Sequence, residues 1–207
     1  MANHEQLHAR GKEIIQNAPQ LYFDVDVEAD GIAGYGSLLS VGAVSPWGEK
    51  YYAELKPTSS RYIQSNHDFC EAHNLERVRL LDEGRDPEDV MEEFTEWVGN
   101  ITEIYDKKRP VFSAFNASFD FPWVDLAMKE AGIFKNPFGV SGYCIKSLAN
   151  TLSNNYDWAQ TAKGRLPAEL VPEGDFTHNA LKDAMYQQKI HNALVGTLEL
   201  GHTLEMV

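Results

Sequence analysis

The sequence predicts a single α/β domain, and three observations support this fold class. Residues 21–28 alternate apolar and polar side chains, which is the period-two pattern of a β-strand. The segments SLLSVGAVS and KYYAELKP follow, separated by a turn around Pro46 and Gly48, and predict an antiparallel hairpin added to that strand. Asp86 and Pro87 then begin an amphipathic helix. A chain of 207 residues is long enough for one core and too short to expect two.

Five further elements are predicted, one before the first strand and four after the amphipathic helix. Residues 4–17 predict a polar helix that ends before Pro19, so we assign 1–19 to an N-terminal helical extension and 20–207 to the main domain. Four more elements complete the prediction: a buried strand PVFSAF from Pro110, a helix from Pro122 to Gly132, a helix over Tyr143 to Leu152, and a long final helix after a loop of about 25 residues.

The charge of the chain limits the partners that it can bind. Its formal net charge is −13, so a long polyanion is repelled on average, and short or single-stranded nucleic acid held at one end is favoured. No apolar run approaches the roughly 18 residues of a membrane span, and the polar start lacks a signal core. We therefore expect a cytoplasmic protein without a membrane partner, in an oligomeric state that the sequence does not predict.

Two cysteines, Cys70 and Cys144, are too few for a disulfide framework, and both are expected to be free thiols. His67, Cys70 and His73 stand three residues apart, but a closed zinc site needs four ligands and no second cluster lies nearby in the sequence. Small buried side chains and surface histidines are the favoured interpretation.

Acidic residues recur along the chain in positions that suit a metal site. Asp24, Asp26 and Glu28 share one face of the first strand, and carboxylates two residues apart lie roughly 6 to 7 Å from each other at their Cα atoms. Asp120 follows the buried strand, and Asp183 lies one turn inside the final helix. Oxygen ligands of this kind suit Mg²⁺ or Mn²⁺, and two such ions can activate water and stabilise a leaving oxygen in phosphodiester hydrolysis.

His178 precedes Asp183 by five residues, at the start of the final helix. An imidazole has an ordinary pKa of about 6.5, which suits a general base that removes a proton from the attacking water. The other six histidines have no comparable context. Asp26, Glu28, Asp120, His178 and Asp183 are therefore the candidate catalytic residues.

Three segments resemble the motifs of a known superfamily. FDVDVEADG, FNASFD and HNALKDA are similar to the motifs of the histidine-type DEDD (DEDDh) 3′-5′ exonucleases, which include proofreading exonuclease domains, oligoribonuclease and ribonuclease T. The resemblance runs from about Leu21 to Leu198. The tyrosine-type branch has a tyrosine where this chain has Asn179.

The resemblance implies a ribonuclease H-like fold, a mixed five-stranded sheet with helices on both faces. It implies that two divalent cations bind to four carboxylates while a histidine acts as base, in the order Asp26, Glu28, Asp120, His178 and Asp183. Asn116 matches a polar residue of the second motif and becomes a candidate substrate contact. The implied activity is removal of nucleoside 5′-monophosphates from the free 3′ end of single-stranded or short RNA or DNA.

Several alternatives stay open in the sequence. A slip of register would make Asp24 and Asp26 the metal pair, or Asp24 supports a ligand through a hydrogen bond. Tyr35, in the loop after the first strand, is a candidate for stacking on a base. Three cations are candidate phosphate contacts, although such side chains are usually solvated: Lys163, Arg165 and Lys182. The alternative functions are a ribonuclease H-like endonuclease and a non-catalytic nucleic-acid-binding module.

Overall fold

The structure, a computed structural model, describes residues 3–106, 108–152, 157–174 and 177–199. Its strands are β1 (Gln20–Ala29), β2 (Leu38–Val44), β3 (Lys50–Glu54), β4 (Arg109–Ala114) and β5 (Tyr143–Cys144). Its helices are α1 (His4–Asn17), α2 (Gln64–Ala72), α3 (Arg77–Glu83), α4 (Pro87–Ile104), α5 (Ala117–Glu130), α6 (Ile145–Leu152) and α7 (Ala180–Glu199), and a short 3-10 helix covers Lys163–Arg165.

The strands form one mixed sheet in the order β3-β2-β1-β4-β5. Strands β1, β2 and β3 are antiparallel neighbours, as the hairpin prediction required, whereas β4 pairs in parallel with both β1 and β5. A mixed sheet of five strands is the arrangement that the family resemblance implied.

Helices cover both faces of this sheet, and the side-chain alternation of β1 shows which helix lies on which face. The ring of Tyr22 contacts His191 of α7, while the next residue, Phe23, contacts Trp97 of α4. Successive residues of a strand point to opposite faces, so α7 and α4 lie on opposite sides of β1. The acidic residues of β1 share the face of Tyr22 and therefore lie under α7.

Helix α1 packs directly along α7 because small residues line the contact. A Cβ atom built on Gly11 would lie 1.7 Å from the carbonyl oxygen of Asn192, and one on Gly196 would lie 2.2 Å from the carbonyl oxygen of Leu7. Leu7 joins the buried cluster that contains Ile190 and Leu194 of α7. The predicted helix over residues 4–17 is confirmed, and the division of the chain at residue 19 stays a prediction.

Two predicted element boundaries were wrong. Helix α5 begins at Ala117 rather than at Pro122, because the N–H of Phe119 already bonds the carbonyl of Asn116 directly after β4. Pro122 lies inside the helix, where its missing N–H leaves the carbonyl of Ser118 without a helical donor.

The segment predicted as a helix over Tyr143 to Leu152 begins instead with a short strand. Tyr143 and Cys144 pair with the open edge of β4, at Ser113 and Ala114, before the helix starts at Ile145.

Both cysteines are free thiols, as expected. Cys70 is buried, and burial raises the pKa of its thiol to about 12, with further contributions from the charges of Glu28 and Asp30. Of the helices in the described part of the chain, none has both the length and the apolar character needed to cross a membrane.

The α1–α7 contact predicts that Gly11→Ala destabilises the protein, because the new methyl group would meet backbone rather than a mobile side chain. The expected loss is about 1 to 3 kcal/mol of unfolding free energy, measured by urea denaturation. Gly99→Ala on α4 is the control, since a Cβ there meets no atom within 4 Å and should stabilise the exposed helix by up to about 1 kcal/mol. Equal stability of the Gly11→Ala variant and the wild type would contradict the packing.

Candidate active site

The candidate residues of the three motifs line one cavity of about 340 Å³. Its walls come from β1, from α5 and the residues before it, and from the approach to α7. The lining residues are Asp26, Val27, Glu28, Phe115, Asn116, Phe119, Asp120, Lys163, His178 and Asp183. Side chains that are up to 157 positions apart in the sequence therefore meet at one place.

The cavity opens where β1 and β4 separate. The two strands pair only as far as Asp24 and Ser113, while β1 continues to Ala29. Asp120 enters the gap from the first turn of α5, and its Oδ1 accepts a hydrogen bond of 3.2 Å from the N–H of Val27. The carboxyl ends of diverging parallel strands are a general location for ligand sites in α/β proteins.

The start of α7 reaches the cavity by lying almost on the backbone of β2. Gly42 of β2 pairs with Asp26 of β1, and a Cβ on Gly42 would lie 2.1 Å from the N atom of Leu181. The Asn179 side chain caps the helix by accepting from the N–H of Lys182 at 3.1 Å. This approach brings Asp183, in the first turn of α7, beside the acids of β1.

Asp183 also shapes the segment before its own helix. Its two carboxylate oxygens accept hydrogen bonds of 3.1 Å from the backbone N–H groups of Thr177 and His178. His178 adopts a φ of 52°, a left-handed conformation that is uncommon for residues other than glycine. The paired hydrogen bonds hold this backbone conformation and thereby direct the imidazole.

The imidazole of His178 packs against the end of α2. Its ring lies 4.4 Å from that of Phe69 and 4.3 Å from that of His73, both edge to face. Burial lowers the pKa of His178, and the nearby His73 and Lys163 lower it further, whereas the charge of Asp183 raises it. The sequence interpretation of His73 as a surface residue did not include this contact.

The carboxylates of the cavity strongly affect one another. Burial raises the pKa of Asp26 to about 6, the charge of Asp183 adds to this, and Lys163 opposes it. Burial raises the pKa of Glu28 to about 8, with contributions from Asp26 and Asp183. Burial together with the charge of Asp26 also raises the pKa of Asp120 well above its ordinary value. Without a cation, these groups hold their negative charges together only at a cost in free energy.

The donor atoms fit divalent cations. One oxygen or nitrogen atom each from Glu28, His178 and Asp183 lies within 4.8 Å of the other two, and Asp26 and Asp120 contribute further carboxylates to the same wall. A set dominated by carboxylate oxygen suits Mg²⁺ or Mn²⁺, and a positive ion would offset both the burial and the mutual repulsion of these charges.

Four of the candidate residues lie outside the cavity: Asp24, Tyr35, Arg165 and Lys182. Asp24 is buried, and its Oδ1 accepts from Ser113 Oγ at 2.9 Å and lies 3.1 Å from Nδ1 of His191. Asp24 is thus engaged deeper under α7 and does not line the cavity with Asp26. Tyr35 is half-exposed beside Arg61, whose guanidinium lies 5.0 Å from the ring, and does not line the cavity.

Gln187 has a positioning role that sequence reasoning missed. It lies on α7 one turn after Asp183 and is fully buried; its Nε2 donates to the carbonyl of Val25 at 2.7 Å, and its Oε1 accepts from the N–H of Phe115 at 3.1 Å. The amide thus bridges β1 and the end of β4 where their pairing stops. The feature of the sequence that could have indicated this role was a glutamine on the buried side of the final helix.

Two comparisons of the sequence identify relatives. The family described as the 3′-5′ exoribonuclease Rv2179c-like domain matches residues 22–195. The 3′-5′ DNA exonuclease Cap18 of Escherichia coli is 32% identical over 174 residues, which cover 83% of this chain and 89% of Cap18.

Solved structures share the fold at low sequence identity. The nuclease domain of 3′hExo, a DEDDh family member bound to rAMP, superposes with a TM-score of 0.62 at 13% identity over 91% of this chain and 96% of its own. Pop2p of S. pombe, in its Mg²⁺- and Mn²⁺-bound form, gives 0.60 at 12% identity over 92% and 89%.

These structural matches confirm the ribonuclease H-like fold of the DEDDh exonucleases that the sequence motifs implied. The family match covers most of the chain and includes every one of the five residues that the motifs supplied. The chain therefore belongs to the family of 3′-5′ exoribonuclease Rv2179c-like domains, a family of 3′-5′ exonucleases.

Proposed function

We propose that this protein is a metal-dependent exonuclease that removes nucleoside 5′-monophosphates from the free 3′ end of single-stranded or short RNA or DNA. The observation that carries the proposal is the meeting of four carboxylates and one histidine in a single open cavity. The relatives support the direction of cleavage, since both the family and Cap18 are described as 3′-5′ exonucleases. Their descriptions name RNA in one case and DNA in the other.

Four carboxylates would hold two divalent cations, Mg²⁺ or Mn²⁺, in this cavity: Asp26, Glu28, Asp120 and Asp183. When bound, such ions supply the positive charge that stabilises the attacking and leaving oxygens of a phosphodiester. The Mg²⁺ and Mn²⁺ of Pop2p, which shares the fold, support this choice of ions. The chain itself contributes the convergence of its carboxylates, which the β1–β4 gap and the start of α7 enforce.

His178 would accept the proton of the attacking water. It lines the cavity beside Glu28 and Asp183, and the backbone bonds to Asp183 keep its ring at the cavity wall. Asn116, exposed at the start of α5, lines the same cavity and would contact the terminal nucleotide. Tyr35 as a stacking residue and the cytoplasmic location stay predictions from the sequence.

The direct test is incubation of the purified protein with 5′-labelled single-stranded RNA and DNA oligomers, in Mn²⁺, Mg²⁺ or a chelator. The proposal expects a ladder of products that shortens by one nucleotide at a time and disappears with chelator. The relative rates on the two oligomers identify the preferred sugar. Internal cuts would indicate an endonuclease instead, and binding without cleavage would indicate a non-catalytic module.

Asp120→Asn should abolish the ladder while the protein stays folded. The asparagine keeps an oxygen that accepts from the N–H of Val27 but removes one charge from the cavity. We expect cleavage to fall by about 10³-fold or more, on the scale of lost electrostatic stabilisation of a transition state. Because repulsion is relieved, the melting temperature in chelator should be equal to or higher than that of the wild type.

Asp125→Asn is the matched control for this variant. Asp125 lies on the same helix, where it pairs with Lys129, and does not line the cavity. Its substitution should leave cleavage within about twofold of the wild type. An Asp120→Asn variant with wild-type cleavage would remove Asp120 from the proposed site.

His178→Ala should separate catalysis from cation binding. Loss of a general base typically reduces turnover by about 10² to 10⁴-fold. The affinity for Mn²⁺, measured by calorimetry without substrate, should stay within a few-fold of the wild type because the four carboxylates remain. A large loss of Mn²⁺ affinity would instead make His178 a metal ligand, a role that its distance from Glu28 and Asp183 also allows.

A further inference from the structure

Lys163 is a charged residue of the cavity wall that has no role in the proposed hydrolysis. Among the described residues that line the cavity, Lys163 carries the permanent positive charge. Its Nζ lies 3.3 Å from Oδ1 of Asp26, and the two side chains are only 19% and 13% exposed. The ammonium also lies 5.6 Å from the centre of the Phe115 ring.

Packing of the surrounding segment fixes this position. Thr161 is fully buried, and its hydroxyl accepts a hydrogen bond of 2.9 Å from Nδ2 of Asn150 on α6. Leu166 and Leu170, on the other side of Lys163, are buried in the same cluster as Ile190 of α7. The lysine therefore lies on an anchored turn at the cavity rather than on a solvated loop.

The charges in the cavity make the position of Lys163 depend on what else is bound. In the absence of an ion, its ammonium offsets part of the negative charge that surrounds Asp26, at a distance where a charge pair away from bulk water interacts strongly. A divalent cation bound to Asp26 would neutralise the same carboxylate and repel the ammonium. Lys163 and the cation therefore compete for one ligand.

An anion then becomes the favoured partner of the displaced ammonium. A lysine has a flexible stem of four carbons, and its ammonium binds phosphate oxygen through charge-assisted hydrogen bonds. Phe115, whose ring lies 5.6 Å from the ammonium, and Asn116, the proposed substrate contact, line the same cavity as Lys163.

We propose that Lys163 is a tethered cation that holds Asp26 while the site is free of metal and moves to a phosphate of the substrate once the carboxylates bind divalent cations. This inference rests on the proposed function and deepens it. Lys163 weakens metal binding and strengthens substrate binding, so its removal should change the two affinities in opposite directions. A residue that only supported the fold would weaken both.

The experiment compares wild type, Lys163→Met and Lys163→Arg in two assays. Calorimetric titration with Mn²⁺, without nucleic acid, should show affinity that is on the order of tenfold tighter in Lys163→Met, since the competing charge is gone. Cleavage of a labelled oligomer at saturating Mn²⁺ should show a KM raised by roughly tenfold or more with a smaller change in kcat. Lys163→Arg keeps the charge and should restore most of both values.

Lys50→Met is the matched control, because Lys50 is exposed at the start of the edge strand β3 and the substitution removes the same charge. It should leave both assays unchanged. Lys163→Gln, a second neutral variant, should change them in the same directions as Lys163→Met.

Unchanged or weaker Mn²⁺ affinity in both neutral variants would overturn the competition, and an unchanged KM would overturn the transfer to phosphate. Either result could occur in a fully active exonuclease. Failure of the proposed function would give a different result, because the wild type would then neither bind Mn²⁺ nor cleave the oligomer. In that case the inference about Lys163 fails as well.

Discussion

The close approach of α7 to β2 is the constraint on which the cavity depends. At Gly42 the two backbones come so near that a methyl group has no room, and this contact lies beside Asp26 in the sheet. Moving α7 outward by the thickness of one side chain would carry Asp183 away from the acids of β1. The buried amide of Gln187 fixes the same helix against β1 and β4 one turn later.

The arrangement brings negative groups together at a cost to the metal-free fold. The raised pKa values of Asp26, Glu28 and Asp120 reflect this cost, because burial first and the neighbouring negative charges second oppose loss of the proton. A ligand that binds only the folded state stabilises it by mass action. Divalent cations bound in the cavity would therefore raise the free energy of unfolding that the clustered carboxylates lower. In the absence of cations, the ammonium of Lys163 supplies part of the positive charge that offsets these carboxylates.

Sequence reasoning found the parts of the site that local patterns specify. The period-two alternation of β1 put Asp26 and Glu28 on one face, and the helix predicted to start near His178 put Asp183 one turn inside α7. The start of α5 was misplaced because proline usually marks the first turn of a helix, whereas here the chain turns directly from β4 into the helix at Ala117.

The missed contributions depend on contacts between distant segments. In the sequence, Gly42 is an ordinary residue of a buried strand, and only its contact with α7 shows why a side chain has no room there. The role of Gln187 becomes visible only when the position at which β1 and β4 separate is known. Lys163 was one of three candidate cations in the sequence. The folded structure distinguishes it from Arg165, because Lys163 lines the cavity and pairs with Asp26, whereas Arg165 stays exposed and bonds Gln160.

The most direct test of the proposed metal site is a crystal structure grown with Mn²⁺ and a nucleoside 5′-monophosphate, with the ions located by anomalous scattering. We expect two anomalous peaks in the cavity, in contact with the carboxylates of Asp26, Glu28, Asp120 and Asp183, with the phosphate beside them. A cavity without ions at saturating Mn²⁺, or ions bound only elsewhere on the protein, would contradict it.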